Sequence, residues 1–127
     1  MKTVTFDFDG TLSRPDVQEY FKELIGKGID CWVVTSRYDD LHKHLYQGNP
    51  TNEDLWEVIE RLGLPRHKVR FCNMVNKYHY LSNTDVIWHL DDDEIETYYL
   101  NNYAKITGIY INYSAWKQLC NSSLGIS

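Results

Sequence analysis

Long apolar runs are absent from this sequence, and cysteine is scarce. No run of about 18 apolar residues occurs, so we expect no membrane-spanning helix. The three cysteines, Cys31, Cys72 and Cys120, are odd in number and far apart. This spacing argues against a disulfide framework or a metal-binding cysteine pair, and it favours reduced thiols in the cytoplasm. A strand pattern begins at the third residue, so we expect no signal peptide.

An excess of basic residues is also lacking. The chain has 18 acidic and 13 basic residues, and its formal net charge is -5. This composition argues against a broad basic surface for nucleic acid, although a local basic pocket is compatible with it. The 127 residues are 43% apolar and include 10 tyrosines and 4 tryptophans, which is enough for one compact core but not two domains. We therefore predict a single domain over residues 1–127.

Strand-like and helix-like segments alternate along the chain. Such alternation implies right-handed crossovers and a parallel sheet with helices on both faces. We therefore predict an α/β fold, a Rossmann-like three-layer sandwich around a mainly parallel five-stranded sheet. The predicted strands are the start of 3–12, then Ile29–Thr35, Lys68–Cys72, Asp85–Leu90 and Ile106–Ile111. The predicted helices are 14–28 with Asp16 as its cap, 52–63, Glu94–Asn102, a tail helix with Trp116 and Leu119, and a helix or turn over 76–82.

Polar residues follow several of these strands at the point where each strand ends. In parallel sheets ligands bind beyond the carboxyl ends of the strands, which places Asp7, Asp9, Thr35 and Asp91–Asp93 at one edge. On an extended chain the carboxylates of Asp7 and Asp9 point the same way and repel unless a cation lies between them. Oxygen ligands favour Mg²⁺. The alternative is an Asp-rich turn that merely ends the strand.

The segment Asp7-Phe8-Asp9-Gly10-Thr11 resembles the first motif of the haloacid dehalogenase-like (HAD) phosphohydrolases, which is D-x-D-G-T after a first strand. The resemblance implies that Asp7 is the nucleophile and Asp9 the general acid and base. It also implies that Mg²⁺ is bound by Asp7, by the backbone carbonyl of Asp9 and by an acidic residue later in the chain. Gly10 permits a sharp turn, and Thr11 offers a hydroxyl and an N–H to the substrate.

The segment Val33-Val34-Thr35-Ser36 resembles the second HAD motif, an apolar strand that ends in Thr or Ser. The resemblance implies that Thr35 binds a phosphate oxygen, with Ser36 as the alternative. A Thr at a strand end is otherwise usually structural. Arg37 follows and offers a bidentate contact to a phosphate, unless it is a solvated loop residue.

Lys77 resembles the third motif, a lysine upstream of the acidic strand, whose implied role is to neutralise the phosphate and fix the nucleophile. Lys68 competes for this role, but it begins a predicted strand and therefore lies at the opposite edge. The run Asp91-Asp92-Asp93 resembles the fourth motif, which supplies the metal ligand. The sequence leaves Asp91 and Asp92 open for that ligand, whereas a helix N-terminus accounts for Asp93.

These motifs predict a Mg²⁺-dependent phosphatase that forms an aspartyl-phosphate on Asp7. Two alternatives are a non-catalytic module that binds Mg²⁺ and phosphate and a phosphotransferase. Only about 25 residues separate Asp9 from Thr35, so no cap domain is expected and the phosphorylated substrate can be macromolecular, including a nucleic acid. The polar loop 38–51, which contains His42, Lys43, His44 and Tyr46, is predicted to face that substrate.

Overall fold

A sheet of five parallel strands forms the centre of the molecule. The structure is a computed structural model, and it describes residues 1–42 and 51–127. The strands are β1 (Thr3–Phe6), β2 (Asp30–Thr35), β3 (Val69–Phe71), β4 (Val86–Asp91) and β5 (Thr107–Tyr110). Their spatial order is β3-β2-β1-β4-β5, and all four pairings are parallel. The predicted α/β fold with a mainly parallel five-stranded sheet is therefore confirmed.

Helices cover both faces of this sheet. They are α1 (Pro15–Gly26), α2 (Glu53–Arg61), α3 (Tyr78–Leu81), α4 (Glu94–Tyr99) and α5 (Trp116–Leu124). Successive side chains of a strand point to opposite faces. In β2, Val33 accordingly packs with residues of α1, α2 and α5, whereas Val34 packs with Leu81 of α3 and with Leu100. Among the residues that the structure describes, no helix is both long and apolar enough to cross a bilayer.

The first helix begins earlier than its sequence suggests. We predicted Asp16 as the cap, but α1 already starts at Pro15, and that prediction is wrong. Proline favours the first helical position because its φ is fixed near the helical value and its missing N–H has no partner there. Asp16 lies in the first turn instead, where its carboxylate accepts from the N–H of Val17 and pairs with Arg14.

Most other predicted elements are present with shorter bounds. The predicted helix over Glu94–Asn102 divides into α4 and a wider helical turn, Leu100–Ala104, which ends at Lys105 in the left-handed region. The strand predicted to stop at Leu90 continues through Asp91, which pairs with Tyr110. The helical turn predicted near residues 41–46 lies largely outside the described residues.

The strand order reverses at β1, which pairs with β2 on one side and with β4 on the other. In open parallel sheets this reversal creates a crevice at the carboxyl ends of the strands concerned. Asp7 directly follows β1, and its N–H donates to the carbonyl of Leu90 in β4 at 2.8 Å. The fold therefore brings the first acidic motif and the later run of aspartates to the same point.

Candidate functional site

Three aspartates converge at the reversal point of the sheet. Asp7, Asp91 and Asp92 each offer a carboxylate oxygen, and these oxygens lie within 4.8 Å of one another. Asp7 and Asp91 are buried, whereas Asp92 is exposed. The cluster therefore has two carboxylates fixed by the core and one that faces solvent.

Lys77 lies between the two buried carboxylates. Its Nζ donates to Asp7 Oδ1 at 2.7 Å and to Asp91 Oδ2 at 2.6 Å, and the lysine side chain is only 1% exposed. Burial alone would lower the pKa of Lys77, but the attraction of Asp7 and Asp91 outweighs it and raises that pKa above its ordinary value. The lysine is therefore a fixed positive charge next to the predicted nucleophile.

His89 extends this arrangement into the sheet. The fully buried ring makes two 2.7 Å contacts, from Nε2 to Asp91 Oδ2 and from Nδ1 to Thr5 Oγ1. Burial lowers the pKa of His89 and so favours the neutral ring. Because an ionised carboxylate can only accept, Nε2–H donates to Asp91 and Nδ1 accepts from the hydroxyl of Thr5. Burial raises the pKa of Asp91, but His89 and Lys77 more than offset this and hold it below its usual range.

The charges of the cluster do not balance. Three carboxylates face one ammonium group, and burial raises the pKa of Asp7 well above its ordinary value, with Lys77 opposing the shift and Asp91 adding to it. A divalent cation would supply the missing positive charge, and an all-oxygen donor set suits Mg²⁺. The donor atoms of Asp7, Asp91 and Asp92 therefore fit such an ion.

Gly10 makes room for the third carboxylate. A Cβ at this position would lie 2.1 Å from Asp92 Oδ2, far inside van der Waals contact, and the glycine has φ +72. Both facts favour glycine, since other residues rarely adopt this conformation. The glycine of the first motif therefore fits the turn to the acidic run after β4.

The carboxylate of Asp9 lies apart from this cluster. Arg37 binds it through two hydrogen bonds, from Nε at 2.9 Å and from Nη2 at 2.7 Å. The prediction that Asp7 and Asp9 point the same way is therefore wrong. It assumed an extended chain, but β1 ends at Phe6 and residues Phe8–Leu12 form a helical turn, so the alternation of a strand does not apply. A metal contact from the carbonyl of Asp9 stays a prediction.

The predicted hydroxyl ligands lie at the same edge but contact protein groups. The hydroxyl of Thr11 donates to Asp7 Oδ2 at 3.2 Å, so Thr11 helps to orient the predicted nucleophile. Thr35 is fully buried, and its Oγ1 accepts from the N–H of Arg37 at 3.3 Å. Ser36 is half-buried, and its carbonyl accepts from the N–H of Met74. Phosphate binding by these three residues stays a prediction.

The remaining acidic residues near the site have structural partners. Asp93 caps α4, because its carboxylate accepts from the N–H groups of Ile95 and Glu96. The buried Glu96 accepts from the N–H of Lys77 at 3.1 Å, so it fixes the start of the segment that carries the lysine.

The other candidates lie elsewhere. Lys68 lies at the opposite edge of the sheet, where it pairs with Asp30 at 2.8 Å. His42 contacts the carboxylate of Asp39 at 2.8 Å. The predicted substrate-facing residues Lys43, His44 and Tyr46 lie outside the described residues.

Two residues of this site, His89 and Asp54, belong to none of the sequence motifs. His89 could have been found from period-two spacing, because a histidine two residues before Asp91 on the same strand shares its face. Asp54 binds Arg37 through two 2.8 Å contacts and lies in the first turn of α2. No local pattern predicts this pairing, because it depends on how α2 returns to the edge of the sheet.

A separate cleft of about 530 Å³ lies on the face of the sheet that carries Val34. Its lining includes Thr3, Trp32, Arg70 and Tyr80, but not Lys77 or the clustered aspartates Asp7, Asp91 and Asp92. The cleft is therefore separate from the aspartate cluster. In comparisons with known proteins, no family model, curated protein or solved structure matches this chain.

Proposed function

We propose that this chain is a Mg²⁺-dependent phosphatase that hydrolyses a phosphate monoester through an aspartyl-phosphate on Asp7. The observation that carries the proposal is the buried ammonium of Lys77 between Asp7 and Asp91, with Asp92 beside them. An ion-paired lysine alone would be structural. Such a pair needs neither a third carboxylate that faces solvent nor the glycine that makes room for it, whereas these two features complete a set of three oxygen donors for a metal.

Asp7, Asp91 and Asp92 would hold the metal. When bound, Mg²⁺ stabilises the negative charge that develops on phosphoryl oxygens. The protein contributes the fixed positive charge of Lys77 and the hydroxyl of Thr11, which hold the two oxygens of Asp7 in place. Such preorganisation lowers the barrier without reorganisation during the reaction.

The reaction has two steps. An oxygen of Asp7 attacks phosphorus, the bond from phosphorus to the leaving oxygen breaks, and the protonated Asp9 gives its proton to that oxygen. Water then attacks the phosphorus of the aspartyl-phosphate, Asp9 accepts a proton from it, and the bond to Asp7 breaks to release phosphate. Asp9 is suited to this task because its side chain is 60% exposed at the solvent edge, where a leaving group departs.

The first test separates metal binding from turnover. Thermal unfolding with Mg²⁺ and with EDTA should show a higher Tm with Mg²⁺ in the wild type, because a ligand that binds only the folded state stabilises it. Asp92→Asn should abolish this shift. The exposed Asp16→Asn should retain it, because Asp16 lies on α1 and pairs with Arg14. Equal shifts in all three proteins would contradict the metal site.

The second test measures phosphate release from a panel of esters, from nitrophenyl phosphate to phosphopeptides and 3'-phosphorylated oligonucleotides. Release should require Mg²⁺ and should be lost in Asp7→Asn, and activity that survives this change would exclude the mechanism. We propose a macromolecular substrate, since only α1 lies between the turn at Gly10 and β2. Metal binding without release would favour a binding module, and transfer of phosphate to added alcohols would favour a phosphotransferase.

A further inference from the structure

Arg37 has no donor to spare for a substrate. A guanidinium carries five N–H groups in a planar fork. Nε–H and one Nη2 hydrogen donate to Asp9, and the second Nη2 hydrogen donates to Asp54 Oδ2 at 2.8 Å. Nη1 donates to Asp54 Oδ1 at 2.8 Å and to Asn52 Oδ1 at 3.3 Å. The bidentate contact to phosphate that the sequence suggested would therefore require Arg37 to release one of these partners.

The arginine instead connects two elements. Asp9 belongs to the turn after β1, whereas Asp54 belongs to the first turn of α2. The guanidinium also lies over the ring of Phe8, 5.1 Å from its centroid. Its side chain is 13% exposed although both carboxylates are more than half exposed. The fork is thus fixed by packing, and it holds a carboxylate that would otherwise rotate in solvent.

The anchor on α2 is itself held in place. Asn52 is 1% exposed, and its Nδ2 donates to the carbonyl of Tyr38 at 3.1 Å and to Asp40 Oδ1 at 3.0 Å. Trp56 donates from Nε1 to Asp40 Oδ2 at 2.8 Å. These contacts tie the start of α2 to the segment after β2, so Asp54 approaches Arg37 from a rigid support.

We propose that Asp54 is a positioning residue: it holds Arg37, and Arg37 holds the carboxylate of Asp9 in the orientation that proton transfer needs. The inference rests on the proposed function, in which Asp9 is the general acid and base. Proton transfer in a transition state depends on a fixed geometry between the acid and the leaving oxygen. Without Asp54 the side of the fork away from Asp9 keeps only the 3.3 Å contact from Nη1 to Asn52 Oδ1, and the exposed Asp9 gains rotational freedom.

This role has a consequence that a structural role lacks. A leaving group that is a strong base, such as an alkoxide, needs a proton as its bond to phosphorus breaks. A nitrophenolate leaves without one. Poor positioning of Asp9 should therefore slow the cleavage of alkyl esters much more than that of nitrophenyl esters. A general loss of folded protein would slow both by the same factor.

The experiment compares kcat/KM for p-nitrophenyl phosphate and for an alkyl phosphate in four proteins. These are the wild type, Asp9→Asn, Asp54→Asn and the control Glu53→Gln. Glu53 is the neighbour of Asp54 in the same helical turn, and its side chain makes no hydrogen bond or ion pair with the described residues. The ratio of the two values within one sample does not depend on the fraction of folded protein.

A general acid typically contributes about 100-fold or more, so Asp9→Asn should lower the alkyl value by that factor. We expect Asp54→Asn to lower the alkyl value about 10-fold and the nitrophenyl value less than about 3-fold, since it weakens the same contribution without removing it. Glu53→Gln should leave both values unchanged. Equal losses for the two esters in Asp54→Asn, or no loss, would overturn the inference while the proposed function stands. No release of phosphate by the wild type from any ester of the panel, the macromolecular ones included, would overturn both.

Discussion

Two cations stand at the same edge of the sheet, and each bridges two carboxylates. The inner network consists of Lys77, Asp7, Asp91 and His89, and the outer network consists of Arg37, Asp9, Asp54 and Asn52. The shortest N–O distances of the four ion pairs are alike, between 2.6 and 2.8 Å. Burial differs greatly, because the side chains of Asp7 and Asp91 are 7% and 1% exposed, whereas those of Asp9 and Asp54 are 60% and 63% exposed.

The difference shows what each cation contributes. In the inner network water cannot solvate the carboxylates, so the lysine supplies the charge that makes their burial tolerable. In the outer network water can solvate the two carboxylates if the arginine is removed, but it cannot hold them in one orientation. The planar fork therefore contributes geometry more than stability. We therefore expect ion pairs of similar length to contribute differently to the free energy of unfolding.

The largest effect should come from Lys77→Met. This change leaves the buried carboxylates without their cation, and breaking one side of a buried ion pair typically costs about 3–5 kcal/mol. Lys68→Met is the matched control, because Lys68 also pairs with an aspartate at 2.8 Å but is 29% exposed. Urea unfolding followed by tryptophan fluorescence should show a cost of less than about 1.5 kcal/mol for the control. Similar costs for the two variants would contradict the distinction between the networks.

The next effect should come from Gly10→Ala, at the turn that separates the two networks. The new Cβ would meet Asp92 Oδ2 at 2.1 Å, and the left-handed backbone adds about 1–2 kcal/mol for a residue other than glycine. Gly28→Ala is the control, because Gly28 has φ +80 but a Cβ there meets no described atom within 4 Å. Both variants should lose stability from the backbone, but only Gly10→Ala should also lose the rise in Tm with Mg²⁺. Retention of this rise would show that Asp92 is not a ligand.

A smaller effect is expected for Arg37→Met. Its two carboxylates remain hydrated after the change, so the free energy of unfolding should fall by only about 1 kcal/mol. Urea unfolding beside Lys77→Met measures the ranking directly. If the proposed function holds, Arg37→Met should also slow the cleavage of alkyl esters, because Asp9 loses its orientation while Asp7 keeps Lys77. A cost equal to that of Lys77→Met would mean that the outer network contributes as much to the free energy of unfolding as the inner one.

Much of the inner network could be predicted from the sequence. Parallel strands place their carboxyl ends at one edge, and this alone brings Asp7 and Asp91 together without any knowledge of side-chain packing. The sequence also predicts Lys77, because a lysine upstream of the acidic strand resembles the third motif. His89 shares a strand face with Asp91, and that spacing was visible in the sequence.

The outer network could not be predicted in the same way. Strand alternation predicts the wrong direction for the side chain of Asp9, because the chain turns after Phe6. Arg37 was recognised as a candidate, but its partner Asp54 is 17 residues away and reaches it through the packing of α2. Strand order follows from local patterns, whereas contacts between loops and helix ends depend on the whole fold.

The smallest effect on the free energy of unfolding is expected for Arg66→Met, which is the reference for Arg37→Met. Arg66 pairs with Glu60 at 3.0 Å, with side chains 61% and 65% exposed, and it lies 4.3 Å from the ring centroid of Trp56. It therefore resembles Arg37 in having both a carboxylate and an aromatic partner, but it is solvated throughout. Arg66→Met should change the free energy of unfolding by less than about 0.5 kcal/mol. If urea unfolding shows that Arg66→Met and Arg37→Met lower the free energy of unfolding equally, the loss at Arg37 comes from stacking of its side chain on an aromatic ring. It then does not come from the hydrogen bonds to Asp9 and Asp54. A clearly larger loss for Arg37→Met would assign that loss to the hydrogen bonds of Arg37 with Asp9 and Asp54.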